Sequence, residues 1–329
     1  MCNAVGQVGK IETVALKVSG VALFLILWEV LPRLGLLDSQ FLPTFSATLG
    51  EVWKMLISGV MFTGAMVSLW RALIGLIIAA AAALPLGLWI GTEEGGAIER
   101  RIRPALRLFS QVNPFSLMPI FILFFGIGEV VKLMVVAWVC LWPLLFNTIE
   151  GARNADPALV KTANAMCTGR FGALVKVILP GSSAFIFAGL RVGVEMAFFM
   201  LVAAEMIGAT DGLGWLLHNS AMNYQISRIY ASSLIIIMLS FGLSLMLKYL
   251  QERLFFWRED ALNSQCAAGG VKRTALKRWE AGAVLAFVGV LLTVGTWQVE
   301  VSRQKMAGFN RVSHSHDHHS APYSQHGAE

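Results

Sequence analysis

The sequence predicts an all-α, polytopic transmembrane helix bundle. Of its 329 residues, 56% are hydrophobic and only 14% are charged, and the mean hydropathy is +0.66. A soluble domain carries about 25% charged residues, so this chain has too few charges to cover a water-facing surface. Apolar runs near the roughly 20 residues needed to cross a bilayer recur along the sequence. The net charge of +6 therefore bears on membrane topology and does not indicate nucleic-acid binding.

Seven of these apolar runs are predicted spans. They lie at residues 15–36, 66–91, 112–127, 129–149, 184–209, 228–250 and 281–299. The third run contains Asn113, Pro114 and Pro119, which a span tolerates where neighbouring helices satisfy the freed carbonyl groups. No small-residue cleavage site follows the first run, so it is interpreted as a retained span and not as a signal peptide.

Basic residues are concentrated in alternate loops. They lie before the first run (Lys10, Lys17), after the second (Arg100, Arg101, Arg103, Arg107), after the fourth (Arg153, Lys161, Arg170, Lys176) and after the sixth (Lys248, Arg253, Arg258, Lys272, Arg273, Lys277, Arg278). The other loops hold only Arg33, Lys54, Lys132 and Arg228. The positive-inside rule then predicts that the N-terminus and the basic loops are cytoplasmic. Seven crossings would place the C-terminus outside.

The loop between the first two runs contains an amphipathic segment. Its apolar residues recur at helical spacing, at Leu49, Val52, Trp53 and Leu56. Thr48 and Glu51 have the spacing of a capping box. The segment therefore predicts a helix that lies on the bundle or in the membrane interface.

The loop after the fourth run contains the sequence KTANAMCTGRFGALVKVILP, at residues 161–180. Asp156 and Pro157 form a helix start, with an N-cap followed by proline. Two apolar faces follow, Leu159, Val160, Ala163 and Met166, and then Phe171, Leu174, Val175 and Ile178. A break is expected around residues 167–169, and Pro180 is expected to end the second helix. Such a helix pair fits a groove on a soluble partner, although it could equally be a plain link between two spans.

This loop resembles the EAA loop of the membrane subunits of binding-protein-dependent ATP-binding-cassette (ABC) importers. Residues 161–163, KTA, stand at Glu-Ala-Ala, and residues 177–180, VILP, stand at Ile-x-Leu-Pro. Cys167 stands where the family has glycine, and Gly169 offers backbone freedom two residues later. Four further segments, in order over residues 15–258, resemble the nitrate/sulfonate/taurine branch: FLPTFSATLGEVWKML, IFILFFGIGEVVK, PLLFNTIEGARNADPALV and GLRVGVEMAFFMLVAAEMIGATDGLGWLL.

The resemblance implies a type I importer permease in the bacterial inner membrane, with six core spans at residues 15–258 after a cytoplasmic segment at 1–14. It implies a pore formed with a second, identical permease copy, a cytoplasmic ATPase dimer that binds ATP and Mg, and an extracytoplasmic solute-binding protein. The cargo would be a small solute such as nitrate, a sulfonate or taurine. The loop at about 150–183 would couple to the ATPase through Ala163, Cys167, Thr168, Gly169, Phe171, Leu179 and Pro180. The sequence contains no GxxxxGK[ST] phosphate loop, so the chain is not expected to be an enzyme.

Charges and backbone irregularities within the runs mark candidate pathway or gate residues. Charge inside a membrane is costly and is usually functional or paired. Arg191 and Glu195, four residues apart, can form a local ion pair or contact cargo. Glu205 near the outer end matches the branch pattern, whereas relatives usually have a small or apolar residue at the position of Glu195. Pro114 and Pro119 mark irregular backbone that belongs beside protein or a water-filled cavity.

The chain continues past the core through a basic linker (259–280), a seventh span (281–299) and a His-rich tail (300–329). The histidines at 314, 316, 318 and 319 (His314, His316, His318, His319) could bind Zn, Ni, Co or Cu, or form a disordered polar tail. A metal ion or metal chelate is therefore a further cargo hypothesis. Two alternatives stay open at this point: an ATP-independent secondary transporter, and a metal-related membrane protein organised by the tail.

Overall fold

The computed structural model describes residues 19–20, 22–38, 41–92, 97–155, 157–166, 169–254, 289, 292–297 and 300. This part of the chain is a helix bundle with no strand in the described ranges. Its helices are α1 (22–33), α2 (Phe45–Ile57), α3 (Val60–Gly91), α4 (Ala97–Ser110), α5 (Pro114–Phe125), α6 (Glu129–Arg153), α7 (Pro157–Ala165), α8 (Arg170–Ala173), α9 (Leu179–Gly208), α10 (Leu213–Met222) and α11 (Ile226–Leu254).

Four of the predicted spans are confirmed as helices long and apolar enough to cross a membrane. They are α3, α6, α11 and the continuous helix Phe171–Gly208, which includes α9. The first predicted span contributes α1 within the described residues. Most of the seventh lies outside them, but residues 292–297 are helical, and the buried Gly295 lies against the Trp70 ring of α3. Part of the C-terminal extension therefore packs on the bundle.

The third predicted span, 112–127, corresponds to the short helix α5. Its axis is bent by 83° from the helix Glu99–Ser110 that precedes it, so the two form a broken span or a re-entrant loop. Asn113 starts the second helix, because its Oδ1 accepts a hydrogen bond of 2.9 Å from Phe115 N and Pro114 follows as the first helical residue. At 1.5 Å per residue, α5 is about 18 Å long, short of the ~30 Å hydrocarbon core.

Helix α6 is the centre of the bundle, and it packs along α3 on one side and α9 on the other. Small residues allow these close approaches. A Cβ added to Gly75 of α3 would lie 2.8 Å from Val136 Cβ. One added to Gly189 of α9 would lie 2.9 Å from the carbonyl oxygen of Pro143. The buried core therefore runs along both faces of α6.

The predicted amphipathic segment is confirmed as α2, but its predicted capping box is wrong. The N-cap is Thr44, whose Oγ1 accepts a hydrogen bond of 3.3 Å from Ala47 N. Thr48 is fully buried one turn into the helix, and its hydroxyl donates to Thr44 O over 3.1 Å. Leu49, Trp53 and Leu56 are exposed on the opposite face, as expected of a helix at a membrane interface.

The expectation that Pro180 ends a helix is also wrong. Residues 174–178 form a π-helical turn, in which Leu179 N donates to Leu174 O, and α9 continues directly from it. This wider turn brings Pro180 into the first turn of the resumed α-helix, where a missing N–H breaks no hydrogen bond. The second predicted loop helix is therefore fused to the fifth predicted span.

Gly189→Ala is expected to destabilise the bundle because the new methyl group would meet backbone atoms of α6 that cannot move aside. Over-packing of this kind costs about 1–3 kcal/mol. The apparent Tm of the purified protein in mild detergent should fall.

The matched control is Gly242→Ala on α11, where an added Cβ meets nothing within 4 Å. Its Tm should be unchanged or slightly higher, because alanine favours helix over glycine. Equal Tm values for the two variants would contradict the close α6–α9 packing.

Candidate functional site

A buried cluster of charged side chains joins α3, α6 and α9 at one end of the bundle. Its centre is Arg71 of α3, whose side chain is only 1% exposed. The guanidinium makes two parallel hydrogen bonds to Glu129, Nε to Oε2 at 2.7 Å and Nη2 to Oε1 at 2.8 Å. Lys132 Nζ donates to the same carboxylate over 2.6 Å. Paired, charge-assisted hydrogen bonds of this type are among the strongest in proteins.

Glu205 of α9 is the second anion of the cluster and is fully buried. Its Oε1 accepts from Arg71 Nη1 over 2.7 Å, and its Oε2 accepts from Gly214 N over 2.9 Å. The Ser68 hydroxyl lies 2.9 Å from each carboxylate oxygen. Two cations and two anions thus balance in the cluster, and every carboxylate oxygen of Glu205 has a donor.

The turn that follows α9 closes over the cluster. Arg71 Nη1 donates to Asp211 O over 2.6 Å, and Leu213 N donates to Ser68 Oγ over 3.0 Å. Gly212 has φ +118°, and a Cβ there would lie 2.6 Å from Glu205 Oε2. The backbone can lie this close to the carboxylate only because residue 212 has no side chain. In the first turn of α10, Gly214 N donates to Glu205, so the N-terminus of the helix lies at the anion, the favourable orientation of a helix dipole.

Sequence reasoning found Glu205 but missed its partners. Arg71 lies inside an apolar run. Lys132, which pairs with Glu129 in the same cluster, is counted among the loop residues in the sequence analysis, whereas the structure buries it at 3% exposure. The signal that could have found Arg71 is that a charge inside a span needs a counter-ion. The role predicted for Glu205, at the outer gate, remains a prediction.

The opposite end of the bundle carries the predicted coupling loop. Ile178, Leu174 and Leu179 pack against Leu88 and Ala152, and so fix the base of the loop. Ala163 is buried at 8% exposure. Gly169 and Pro180 are exposed. Cys167 and Thr168 lie outside the described residues.

Three large apolar side chains among the described residues of this loop are more than half exposed. Leu159 is 57% exposed, Met166 74% and Phe171 79%. The predicted apolar face of α7 is therefore divided, since Val160 packs inward at the base while Leu159 and Met166 do not. The exposed three form a surface that we call the apolar rim.

Basic side chains share this end of the bundle. Arg103 of α4 lies 3.1 Å from Glu99, and Arg153 at the end of α6 lies 3.8 Å from the other oxygen of that carboxylate. These contacts bring the basic helix α4 beside the start of the loop.

The predicted pathway residues fall in different places. Glu195 Oε1 lies 3.8 Å from Arg191 Nε, which gives the local ion pair its predicted partners, and Ser244 Oγ donates to the same oxygen over 2.6 Å. Glu195 and Pro114 line a cavity of about 710 Å³ between the start of α5, α6 and α9. Pro119 lies inside α5, exposed and outside the lining of that cavity.

The histidines of the tail lie outside the described residues. Among the residues that are described, no group of three or more His, Cys, Asp or Glu side chains is placed to hold a metal ion. The metal site of the tail therefore remains a prediction.

The family pattern described as "Binding-protein-dependent transport system inner membrane component" matches residues 83–256. The chain belongs to this family. The match runs from the second half of α3 to the end of α11, and so includes both the coupling loop and Glu205. The permease is accordingly an all-helical inner-membrane protein that forms the transmembrane pore subunit of an ABC importer, without catalytic activity of its own.

Individual relatives of the permease are transport permeases too. It is 27% identical over 239 residues to the putative aliphatic sulfonates transport permease protein SsuC of Bacillus subtilis (strain 168), covering 73% of this chain and 86% of the relative. It is 27% identical over 252 residues to the taurine transport system permease protein TauC of Escherichia coli (strain K12), covering 75% and 91%. It is 28% identical over 162 residues to the nitrate import permease protein NrtB of Leptolyngbya laminosa, covering 48% and 57%. Membership implies, in general terms, a partner ATPase and a substrate-binding protein.

Glu205→Gln is expected to destabilise the permease strongly, because it leaves the Arg71 guanidinium buried against a neutral amide. Breaking a buried ion pair on one side costs about 3–5 kcal/mol. The matched control is Glu51→Gln on α2, whose 3.2 Å pair with Lys54 is at the surface and contributes about 0–1 kcal/mol. Thermal unfolding of both variants in the same detergent measures the difference, and equal Tm values would argue against a buried ionised cluster.

Gly212→Ala tests the turn over the cluster separately from its charges. The positive φ and the short distance to Glu205 both oppose a side chain there, so folded yield and Tm should fall. Gly126→Ala is the control, because Gly126 also has a positive φ of +73° but an added Cβ meets nothing within 4 Å. Both variants put a side chain on a backbone with positive φ. A larger loss of yield and Tm in Gly212→Ala than in Gly126→Ala therefore reports the contact with Glu205. Equal losses would mean that the turn does not press on the carboxylate.

Proposed function

We propose that the apolar rim is the surface through which the permease docks on its ATPase. The observation that carries this is the exposure of Leu159, Met166 and Phe171 at the end of a loop whose base is packed. Large exposed apolar side chains beside polar and basic ones are typical of a protein interaction site. A fixed base lets the rim move as one body with a partner.

The basic end of the bundle is proposed to face the cytoplasm. Arg103 and Arg153 lie there beside the loop, and lysine and arginine are enriched on the cytoplasmic side of membrane proteins. The N-terminus is then cytoplasmic, the buried cluster lies towards the outer face, and a seventh crossing would put the C-terminus outside.

Alternating access follows from how the two ends are connected. The helix Phe171–Gly208 runs without interruption from the rim to the buried cluster. A second, identical copy would complete the pore. When ATP binding closes the two ATPase subunits, the rims move with them, and the long helices would carry that motion towards the outer face, where a loaded binding protein releases cargo.

The cargo is proposed to be a small polar solute, as for the sulfonate, taurine and nitrate relatives. A metal ion or chelate is the second candidate, and it rests on the His-rich tail alone. Removing residues 303–329 should leave solute import unchanged if the tail has no role in cargo capture.

Phe171→Asp should abolish stable association with the ATPase. A central aromatic contributes about 2 kcal/mol or more to such an interface, so binding should weaken at least ~30-fold. The measurement is the amount of ATPase that co-purifies with the tagged permease in mild detergent.

Phe41→Asp is the matched control, because Phe41 is 76% exposed, against 79% for Phe171, but lies near α2, outside the loop. It should retain the ATPase. The docking proposal fails if both variants retain the ATPase, or if both lose it with folding intact.

A further inference from the structure

The cavity of about 710 Å³ lies midway along the bundle. Glu195 in its wall is about 15 Å along α9 from Glu205 in the buried cluster and about 24 Å from Leu179 at the base of the loop, at 1.5 Å per residue. Its volume falls in the usual range of about 300–1,000 Å³ for sites that hold small organic molecules. It is therefore placed and sized to hold a solute between the two ends of the bundle.

Four aromatic side chains contribute to the wall of the cavity. Trp138 and Trp142 of α6 are both in it, and their rings meet edge to face, with centroids 5.2 Å apart and planes at 78°. Phe146 and Phe199 add two further rings. A cation that lies over the face of such a ring is attracted by its negative π surface.

Glu195 is the one ionisable side chain in the described lining of this cavity. Its carboxylate is less satisfied than that of Glu205: it accepts one short hydrogen bond, from Ser244, and Arg191 Nε stays 3.8 Å away. Both members of this ion pair are partly exposed, at 46% for Glu195 and 37% for Arg191. The carboxylate therefore keeps capacity for another positive partner.

Arg191 does not cancel the attraction of the Glu195 carboxylate for a cation. Its side chain is not part of the described lining, and its Nε finds no hydrogen-bond acceptor in the described residues. The indole Nε1 groups of Trp138 and Trp142 in the wall also lack an acceptor in the described residues, so they can donate to an acceptor group of a bound solute. The ion pair is neutral overall, so an anion that lacks a cationic group gains no charge attraction from it. A solute with a charged nitrogen would gain both the carboxylate and the aromatic faces at short range.

We propose that this cavity is the resting site of the cargo within the membrane, and that Glu195 with Trp138 and Trp142 selects an organic solute bearing a positively charged nitrogen. The inference rests on the proposed function, since it narrows the class of solute that the pore carries. Taurine, with its ammonium group, belongs to the selected class; nitrate and simple alkanesulfonates do not.

The test uses the full-length permease in lipid nanodiscs and three probes in saturation-transfer NMR titrations. Choline carries the cation, 3,3-dimethylbutan-1-ol has the same shape without charge, and ethanesulfonate is a small anion. Choline should bind the unaltered permease roughly tenfold more tightly than its neutral isostere, within the range of cation–π and carboxylate attraction. The affinity for ethanesulfonate should be lowest.

Glu195→Gln should remove most of the choline preference and leave the neutral isostere unaffected, and Glu195→Asp should restore part of it. Glu51→Gln on α2, far along the chain from the cavity lining, should bind as the unaltered permease does. Absence of choline binding, equal binding of choline and its isostere, or tighter ethanesulfonate binding would each overturn the proposal.

ATPase co-purification is measured on the same preparations. If the ATPase does not co-purify, that result counts against the docking of the rim. It does not affect the choline comparison, because choline binding is measured on the permease alone.

Discussion

The buried Arg71 guanidinium constrains how the helices at one end of this bundle are positioned. A cation taken out of water must find its counter-charges within the protein, and no single helix of this chain supplies them. Arg71 therefore needs Glu129 from α6 and Glu205 from α9 at fixed distances. The positions of three helices are tied to one side chain.

The same constraint explains the chain geometry that follows α9. Once Glu205 is committed to Arg71, its remaining lone pairs still require donors, and the turn into α10 provides Gly214 N. That donor can approach only if the neighbouring backbone lies against the carboxylate, which excludes a Cβ at Gly212. The carboxylate of Glu205 is thus buried and paired at both oxygens, whereas the apolar rim at the other end is exposed. One end of the permease is suited to holding its shape and the other to meeting a partner.

Hydropathy was enough to predict four of the spans, because a membrane crossing is a property of a contiguous segment. It does not show the bend before the third predicted span, where the Asn113 cap starts a short helix at a steep angle to α4. Hydropathy also does not predict the buried cluster, because the cluster joins residues far apart in sequence. Arg71 and Glu205 are separated by 134 positions. Local periodicity contains no information on such a pairing. A rule that every intramembrane charge needs a partner would have placed Arg71 and Glu205 together, but not the carbonyl of Asp211 that completes the set.

The π-turn at Leu174–Ile178 has a consequence for how this chain can change in length. A π-turn amounts to one residue more than an α-helix would use, and each residue of an α-helix turns the chain by about 100°. Deleting that extra residue would restore a regular α-helix and leave Phe171 facing nearly the same direction, because the wide turn already absorbs it. Deleting a residue of α9 itself would instead rotate Phe171 and everything before it by about that angle around the helix axis. The π-turn is thus a place where the chain can lose a residue without turning the exposed apolar side chains away from their present direction.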